Sequence, residues 1–418
     1  MMKNRGRCAL ASLMAVLVAA GAAAQAKPVK LTFVSWLSNK DQLALLETFV
    51  KEFNERKGTA LEVTFQNIPF AEYNTKLVLQ LQTSTPPDLG LILESTAPAF
   101  IDAKLLSPLD AALKSYNPAD FVPKTMELWT RGRTTYAVPL STSPFFLFYN
   151  EDLFRKAGVP TPPEQIAAGK WTWDGFRAAS AAIQKATGVY GYQGIDGQGY
   201  ESRIFHNITP LVRSFGGEIW ANGKVGIDGS ESAAALKLFL AMLNEDKSIV
   251  PPGNQSDFFN GAAAMTAGQI SRISKLSAVS WKWGIAPMPA GPKGAAPVIG
   301  QAGLGAFAKG KNAKVAAELV AYMSSPSCEE RLAKFFPPAR ESVLSSPAFL
   351  KSVGGVSEDL MKTVVVDAIR TGRTLPAHAA YPQIEAETRP AFDKLWKADA
   401  NADAVLAEIG RILRKYVK

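Results

Sequence analysis

Residues 30–65, KLTFVSWLSNKDQLALLETFVKEFNERKGTALEVTF, decide the fold. Lys30 to Trp36 is apolar and β-branched enough for a buried strand. Ser38 and Asp41 then have capping-box spacing, which predicts a helix starting after Ser38. Leu43, Leu46, Phe49, Val50 and Phe53 recur at helical spacing and form one apolar stripe, and Gly58 is a natural stop. Leu61, Val63 and Phe65 alternate as a second strand. A second helix is expected from about Phe70 to Gln82, closed by Pro86-Pro87, and Leu89 to Leu93 reads as a third strand buried on both faces. Strand and helix alternating at this spacing argue for a doubly wound, mainly parallel α/β sheet.

In open sheets of this kind, ligands bind beyond the carboxyl ends of the strands. Two such ends are informative: Trp36-Leu37-Ser38-Asn39 offers an indole with hydroxyl and amide groups, and Glu94-Ser95-Thr96 a carboxylate with two hydroxyls. The first strand-to-helix turn lacks G-x-G-x-x-G, and no P-loop follows. The pattern suits a polyhydroxyl ligand better than a pyrophosphate.

The 418 residues are 47% hydrophobic and 20% charged, which points to about two globular domains and excludes disorder. Two Cys and two His, the latter at 206 and 378, argue against a disulfide scaffold, a thiolate zinc site or an imidazole cluster. Lys3, Arg5 and Arg7 precede an apolar run from Ala9 to Ala20, and Ala24-Gln25-Ala26 has the form of a cleavage site. Residues 1–26 are therefore expected to be a secretory signal peptide; the run is shorter than the roughly 20 apolar residues of a membrane span. Cys8 would leave with it, and no lipid anchor is evident. Removing its three basic residues lowers the formal charge from +9 to +6, spread without a basic run of five or more, so nucleic acid is not an expected partner.

Further along, Tyr136 to Leu140 is strand-like, Ser141-Thr142-Ser143-Pro144 interrupts it, and Phe145 to Tyr149 resumes. Thr172 is a plausible N-cap for a helix opening at Trp173. Helical runs are expected near 204–215, 230–245 and Ala313 to Met323, with strands at Trp283 to Ala286 and Leu304 to Ala308. Short connections near 139–145, 287–298 and 323–327 read as crossings between two lobes.

Seven segments stand in order along the chain: FVKEFNERKGTALEVTF (49–65), TPPDLGLILESTAPAFIDAKLLSPL (85–109), YAVPLSTSPFFLFYNEDLFRKAGV (136–159), WTWDGF (171–176), FFNGAAAMTAG (258–268), IAPMPAG (285–291) and PPAR (337–340). Together they resemble the maltose-binding-like extracellular solute-binding proteins (family 1) of carbohydrate ABC importers. The resemblance implies a type II periplasmic-binding-protein fold, α/β, each lobe a mainly parallel sheet flanked by helices, with a cleft between them. Lobe one would comprise 27–140 and 286–323, lobe two 141–285 and 324–418. It further implies capture of a mono- or short oligosaccharide in the cleft by hinge closure, delivery to the permease subunits of the transporter, a periplasmic, monomeric protein, and no metal, cofactor or enzymatic step.

Position alone nominates Trp36, Asn39, Glu94 and Ser95 as ligand contacts. The matched segments add Ser143, Tyr149, His206, Gln269, Arg272, Arg340 and Tyr381, and the loop at 300–303 adds Gln301. Rings can cover the C–H faces of a sugar while amides, carboxylates and guanidinium groups bind its hydroxyl rim. Structural roles compete at several positions: Tyr149 as turn support, His206 as a polar group on a helix face, Arg340 as a hinge ion pair, and Trp173 as core. Where the family often has an aromatic after Ala-Met-x-x-Gly, this chain has Gln269-Ile270, which removes one stacking platform. A glycerol phosphodiester or polyol is the alternative ligand, with Arg272 and Arg340 as phosphate partners. An exported polysaccharide-active enzyme would need a second carboxylate opposite Glu94.

Overall fold

The computed structural model describes residues 28–194 and 199–418; the expected signal peptide lies outside the described residues. The elements that place the site are, in chain order, β1 (Val29–Ser35), α1 (Lys40–Lys57), β2 (Leu61–Asn67), α2 (Tyr73–Gln80), β3 (Leu89–Leu93), β4 (Val138–Pro144), β5 (Phe146–Asn150), α3 (Trp173–Thr187), α4 (Gly199–Ser214), β6 (Met265–Gly268), β7 (Trp283–Ala286), β8 (Ile299–Ala306), α5 (Ala313–Met323), α6 (Pro326–Leu332) and α7 (Tyr381–Phe392).

The opening stretch folds as its pattern dictates. Leu46, Phe49, Val50 and Phe53 put the apolar stripe of α1 into the core, and Gly58 closes the helix in the left-handed region at φ 60°. The N-cap is Asn39 rather than Ser38: its side chain accepts from the backbone N–H groups of Asp41 and Gln42. The expected ligand contact Asn39 is thus committed to holding a helix end. Thr172 caps α3 as expected, accepting from the Gly175 N–H.

Five strands form the first lobe's sheet, in the order β2-β1-β3-β8-β4. β1 runs parallel to both β2 and β3, as the strand–helix alternation requires. β8 is antiparallel to β3 and to β4, because it returns from the other lobe. Gly303 of β8 lies under the Trp129 ring, where a Cβ would sit 2.5 Å from the indole. Here the glycine is needed for close approach.

The second lobe's three-stranded sheet, β6-β5-β7, is antiparallel throughout, which corrects the expected parallel pairing. The reason lies in β5: it is bracketed by two strands that both run back against it. Its run of apolar residues is buried on both faces, with Leu147 and Tyr149 in one core and Phe146 and Phe148 in another. Parallel pairing survives in the isolated bridges Tyr190–Ala263, Tyr192–Ile249 and Gln193–Thr266.

Ser141-Thr142-Ser143-Pro144 continues β4 instead of interrupting it; the break falls at Phe145, where the chain leaves one sheet for the other. The Phe145 N–H donates to the Val298 carbonyl, and the Thr142 N–H to that of Pro337, so three connecting segments run side by side. Packing divides the chain a little differently from the sequence reading. Met288 and Val298 join the second lobe's core, whereas Cys328, Leu332 and Ala339 pack with the first.

Candidate functional site

Between the lobes lies a cavity of about 490 Å³, within the range of small-molecule sites. The first lobe contributes the ends of β1 and β3: Trp36 and Leu37 beyond β1, Glu94 and Ser95 beyond β3. This is where a parallel sheet exposes its strand termini. β4 adds Ser141 and Ser143, and β8 adds Gly300, Gln301 and Ala302. The second lobe contributes His206 from α4, Gln269 to Ser271 after β6, and Tyr381 and Glu385 from α7; Phe335, Phe336 and Pro337 line it from the segment after α6.

Eight of the twelve expected residues therefore meet at one cavity: Trp36, Glu94, Ser95, Ser143, His206, Gln269, Gln301 and Tyr381. Their roles differ. Trp36 is half-buried and packs edge-on against Phe70 and Tyr73, with ring centroids 5.7 and 4.7 Å away. Tyr73 is locked by donating its hydroxyl to the carbonyls of Val34 and Leu91, so the indole rests on a fixed base. Glu94 accepts the Gln301 N–H on Oε2 at 2.7 Å, while its Oε1 lies 3.2 Å from Nε2 of His206. Gln269 reaches across to donate to the Ser143 carbonyl at 3.1 Å. Gly300 makes that approach possible: a Cβ there would come within 2.7 Å of the Gln269 amide nitrogen.

Gln301 lines the cavity, but its side chain is engaged in the interior. Its side-chain oxygen accepts from the Trp129 indole N–H, and its amide nitrogen donates to the Thr125 carbonyl and the Thr142 hydroxyl. That is the inventory of a buried structural amide.

The other four expected contacts lie off the lining. Asn39 caps α1, and Arg272 follows the lining residue Ser271. Tyr149 is in the second lobe's core, its ring edge-on to Phe154 and tightly covered by Gly284. Burial pushes its phenol pKa up to about 12, so it remains neutral. Arg340 is the clearest correction, being fully buried. Its Nε donates to the Ser324 carbonyl and Nη1 to that of Asn117. Its guanidinium lies 3.9 Å above the Phe121 ring and is flanked by Asp120 and Glu329 at 3.6 and 3.5 Å. The sequence admitted a hinge ion pair there, and this is a structural one.

The sequence reading missed Phe70, Phe335, Phe336 and Glu385. Phe70 is 55% exposed at the cavity wall, unusual for so large an apolar group. A signal existed: Phe70 follows the end of β2, a third carboxyl terminus of the same parallel set. Phe335-Phe336-Pro337-Pro338 is likewise too apolar for an ordinary surface turn. Glu385 gave none, being one polar residue in an amphipathic helix. Among the described residues no group of three or more His, Cys, Asp or Glu could hold a metal ion, and no helix is long and apolar enough to cross a membrane.

Two α/β lobes, crossed by several chain segments and walling a ligand-sized cavity, define the two-lobed binding proteins of the maltose-binding type. The chain matches the bacterial extracellular solute-binding protein family over residues 38–327 and belongs to it. It is 24% identical to a probable ABC transporter-binding protein of Deinococcus radiodurans, over 97% of this chain and 98% of that one. It is 28% identical to a putative binding protein of Brucella abortus, over 59% of this chain; the match spans only 60% of that relative's length. Among solved structures, the cyclic α-maltosyl-1,6-maltose binding protein of Arthrobacter globiformis superposes with a TM-score of 0.78 at 20% identity, covering 93% of this chain and 98% of the other.

Proposed function

We propose that this protein is the substrate-binding component of an ABC importer for a mono- or short oligosaccharide. In this reading it is exported, released into the periplasm by loss of residues 1–26, works as a monomer, and hands its ligand unaltered to the permease. One observation carries the ligand class: the cavity combines aromatic surfaces (Trp36, Phe70, Phe335, Phe336, Tyr381) with hydroxyl, amide and carboxylate groups between them. That is the complement of a pyranose, apolar on its faces and polar at its rim. The family and the ABC transporter-binding relative support the transport role.

The phosphodiester alternative receives less support. Among the described lining residues none is Lys or Arg, and the two arginines nominated for a phosphate are not on the lining. An enzymatic role is also less well served, because Glu94 is engaged as an acceptor by the Gln301 N–H and lies against His206.

The test is thermal shift over a panel of neutral sugars, amino sugars, uronates and glycerol phosphodiesters. A ligand at one hundred times its Kd adds about 2.7 kcal/mol of stability, a rise of several degrees. Trp36→Ala should abolish most of that rise while leaving the ligand-free melting temperature within a few degrees of wild type. No response to any sugar at millimolar concentration, or release of reducing ends from a polysaccharide, would overturn the proposal.

A further inference from the structure

His206 and Glu94 belong to different lobes, yet their side chains meet. Glu94 stands at the carboxyl end of β3 in the first lobe, and His206 in the middle of α4 in the second. Nε2 of His206 and Oε1 of Glu94 are 3.2 Å apart, and the two side chains are only 14% and 18% exposed. Both ends are braced. On one side, Oε2 of Glu94 is held by the Gln301 N–H at 2.7 Å, so the carboxylate is aimed across the cavity by the β8 backbone. On the other, the imidazole packs against Phe145 at a centroid distance of 5.2 Å, and Phe145 is the residue at which the chain crosses from one sheet to the other. A hydrogen bond to a carboxylate in so sheltered a place is stronger than one in water.

We propose that the Glu94–His206 contact is an interlobe clasp: it holds the cleft shut, and His206 sets affinity by populating the closed form rather than by touching ligand. The inference rests on reading the cleft as the ligand site. A protein that binds ligand in its closed form has its apparent affinity reduced by the fraction of molecules that are open. The clasp raises the closed fraction before ligand arrives, which makes His206 a positioning residue. Gln269, donating to the Ser143 carbonyl, is another polar tie between the lobes.

The decisive measurement needs no ligand, so it stands apart from the identity of the sugar. Spin labels at Lys51→Cys in α1 and Lys185→Cys in α3 report lobe separation by pulsed electron resonance; the native Cys328 is buried. Wild-type background should give a dominant short distance. His206→Phe keeps the ring on Phe145 but removes the donor, and should shift most molecules to a longer, broader distance. His206→Gln returns a donor to Glu94 and should restore the short one, which loss of packing alone would not allow. If His206→Phe fails to fold, His206→Asn, with an amide too short to reach, takes its place. A distance distribution unchanged in the donor-less variant overturns the clasp. So does an opening that His206→Gln fails to reverse. With a sugar from the thermal-shift panel, His206→Phe should weaken binding about tenfold, the scale of one charge-assisted hydrogen bond, mainly through faster dissociation. A panel without any binding sugar would remove the transport reading while the ligand-free distances still judged the clasp.

Discussion

Glu94 and Glu329 each meet a basic side chain, one at the cavity and one in the interior. Glu94 faces a cavity, has one backbone donor and an imidazole, and is partly open to solvent. Glu329 is fully enclosed, accepts the Ala339 N–H, and lies against Arg340 beside Asp120. The basic partners, His206 and Arg340, were both expected ligand contacts. The difference is how far the fold shuts each pair away from solvent. Arg340 meets two carbonyls, two carboxylates and a ring, and so ties residues 117–122 to 324–340. Glu94 keeps acceptor capacity directed at the cavity.

The largest expected effect comes from breaking the enclosed cluster. Arg340→Ala takes the cation from the enclosed Asp120 carboxylate and the donors from the Ser324 and Asn117 carbonyls, and removing one partner of a buried ion pair costs about 3–5 kcal/mol. Urea denaturation should show that loss, and a loss below 1 kcal/mol would return Arg340 to the list of ligand contacts. Gln301→Ala comes next. It takes the acceptor from the buried Trp129 indole N–H and a donor from the Thr125 carbonyl, for which about 1–3 kcal/mol is expected. If Gln301 instead contacted ligand, the variant would keep its stability and lose sugar response.

A pH dependence sharpens the same contrast. Desolvation pushes Glu329 up to about 8 despite the opposing pull of Arg340 and the Ala339 N–H. A carboxyl raised in the folded state holds its proton there while the unfolded chain has already lost it. The native state therefore binds more protons between about pH 4.5 and 8, and stability falls as pH rises through that window. Glu329→Gln, neutral throughout, should flatten the decline in melting temperature between about pH 5 and 8. An unchanged slope would mean that Glu329 is ionised in the fold and fully paired.

How much of this was legible beforehand follows from the range of the interactions. The α1 stripe, its Gly58 terminus, Thr172 as a cap and the span Ala313–Met323 depend on neighbours within a few positions, and each was readable. Ser38 and Asn39 are adjacent, both able to cap, and only backbone geometry chose Asn39. The strand ends carrying Trp36 and Glu94 could be placed because parallel sheets gather such ends on one side. Phe335 and Phe336 escaped notice because nothing near them in the chain reveals that they turn toward a cavity shared with residues some 300 positions earlier.

Sequence by itself determined the strand–helix alternation of the first lobe, the absence of metal-binding and nucleotide-binding patterns, and the family. These follow from periodicity, composition and ordered local motifs, all encoded at short separation. Only the tertiary structure decided that the second sheet is antiparallel, that Arg340 and the Gln301 amide serve the scaffold, and that Glu94 and His206 meet across the cleft. Those outcomes turn on which distant groups satisfy a buried charge or amide first, and that competition is settled by packing in three dimensions.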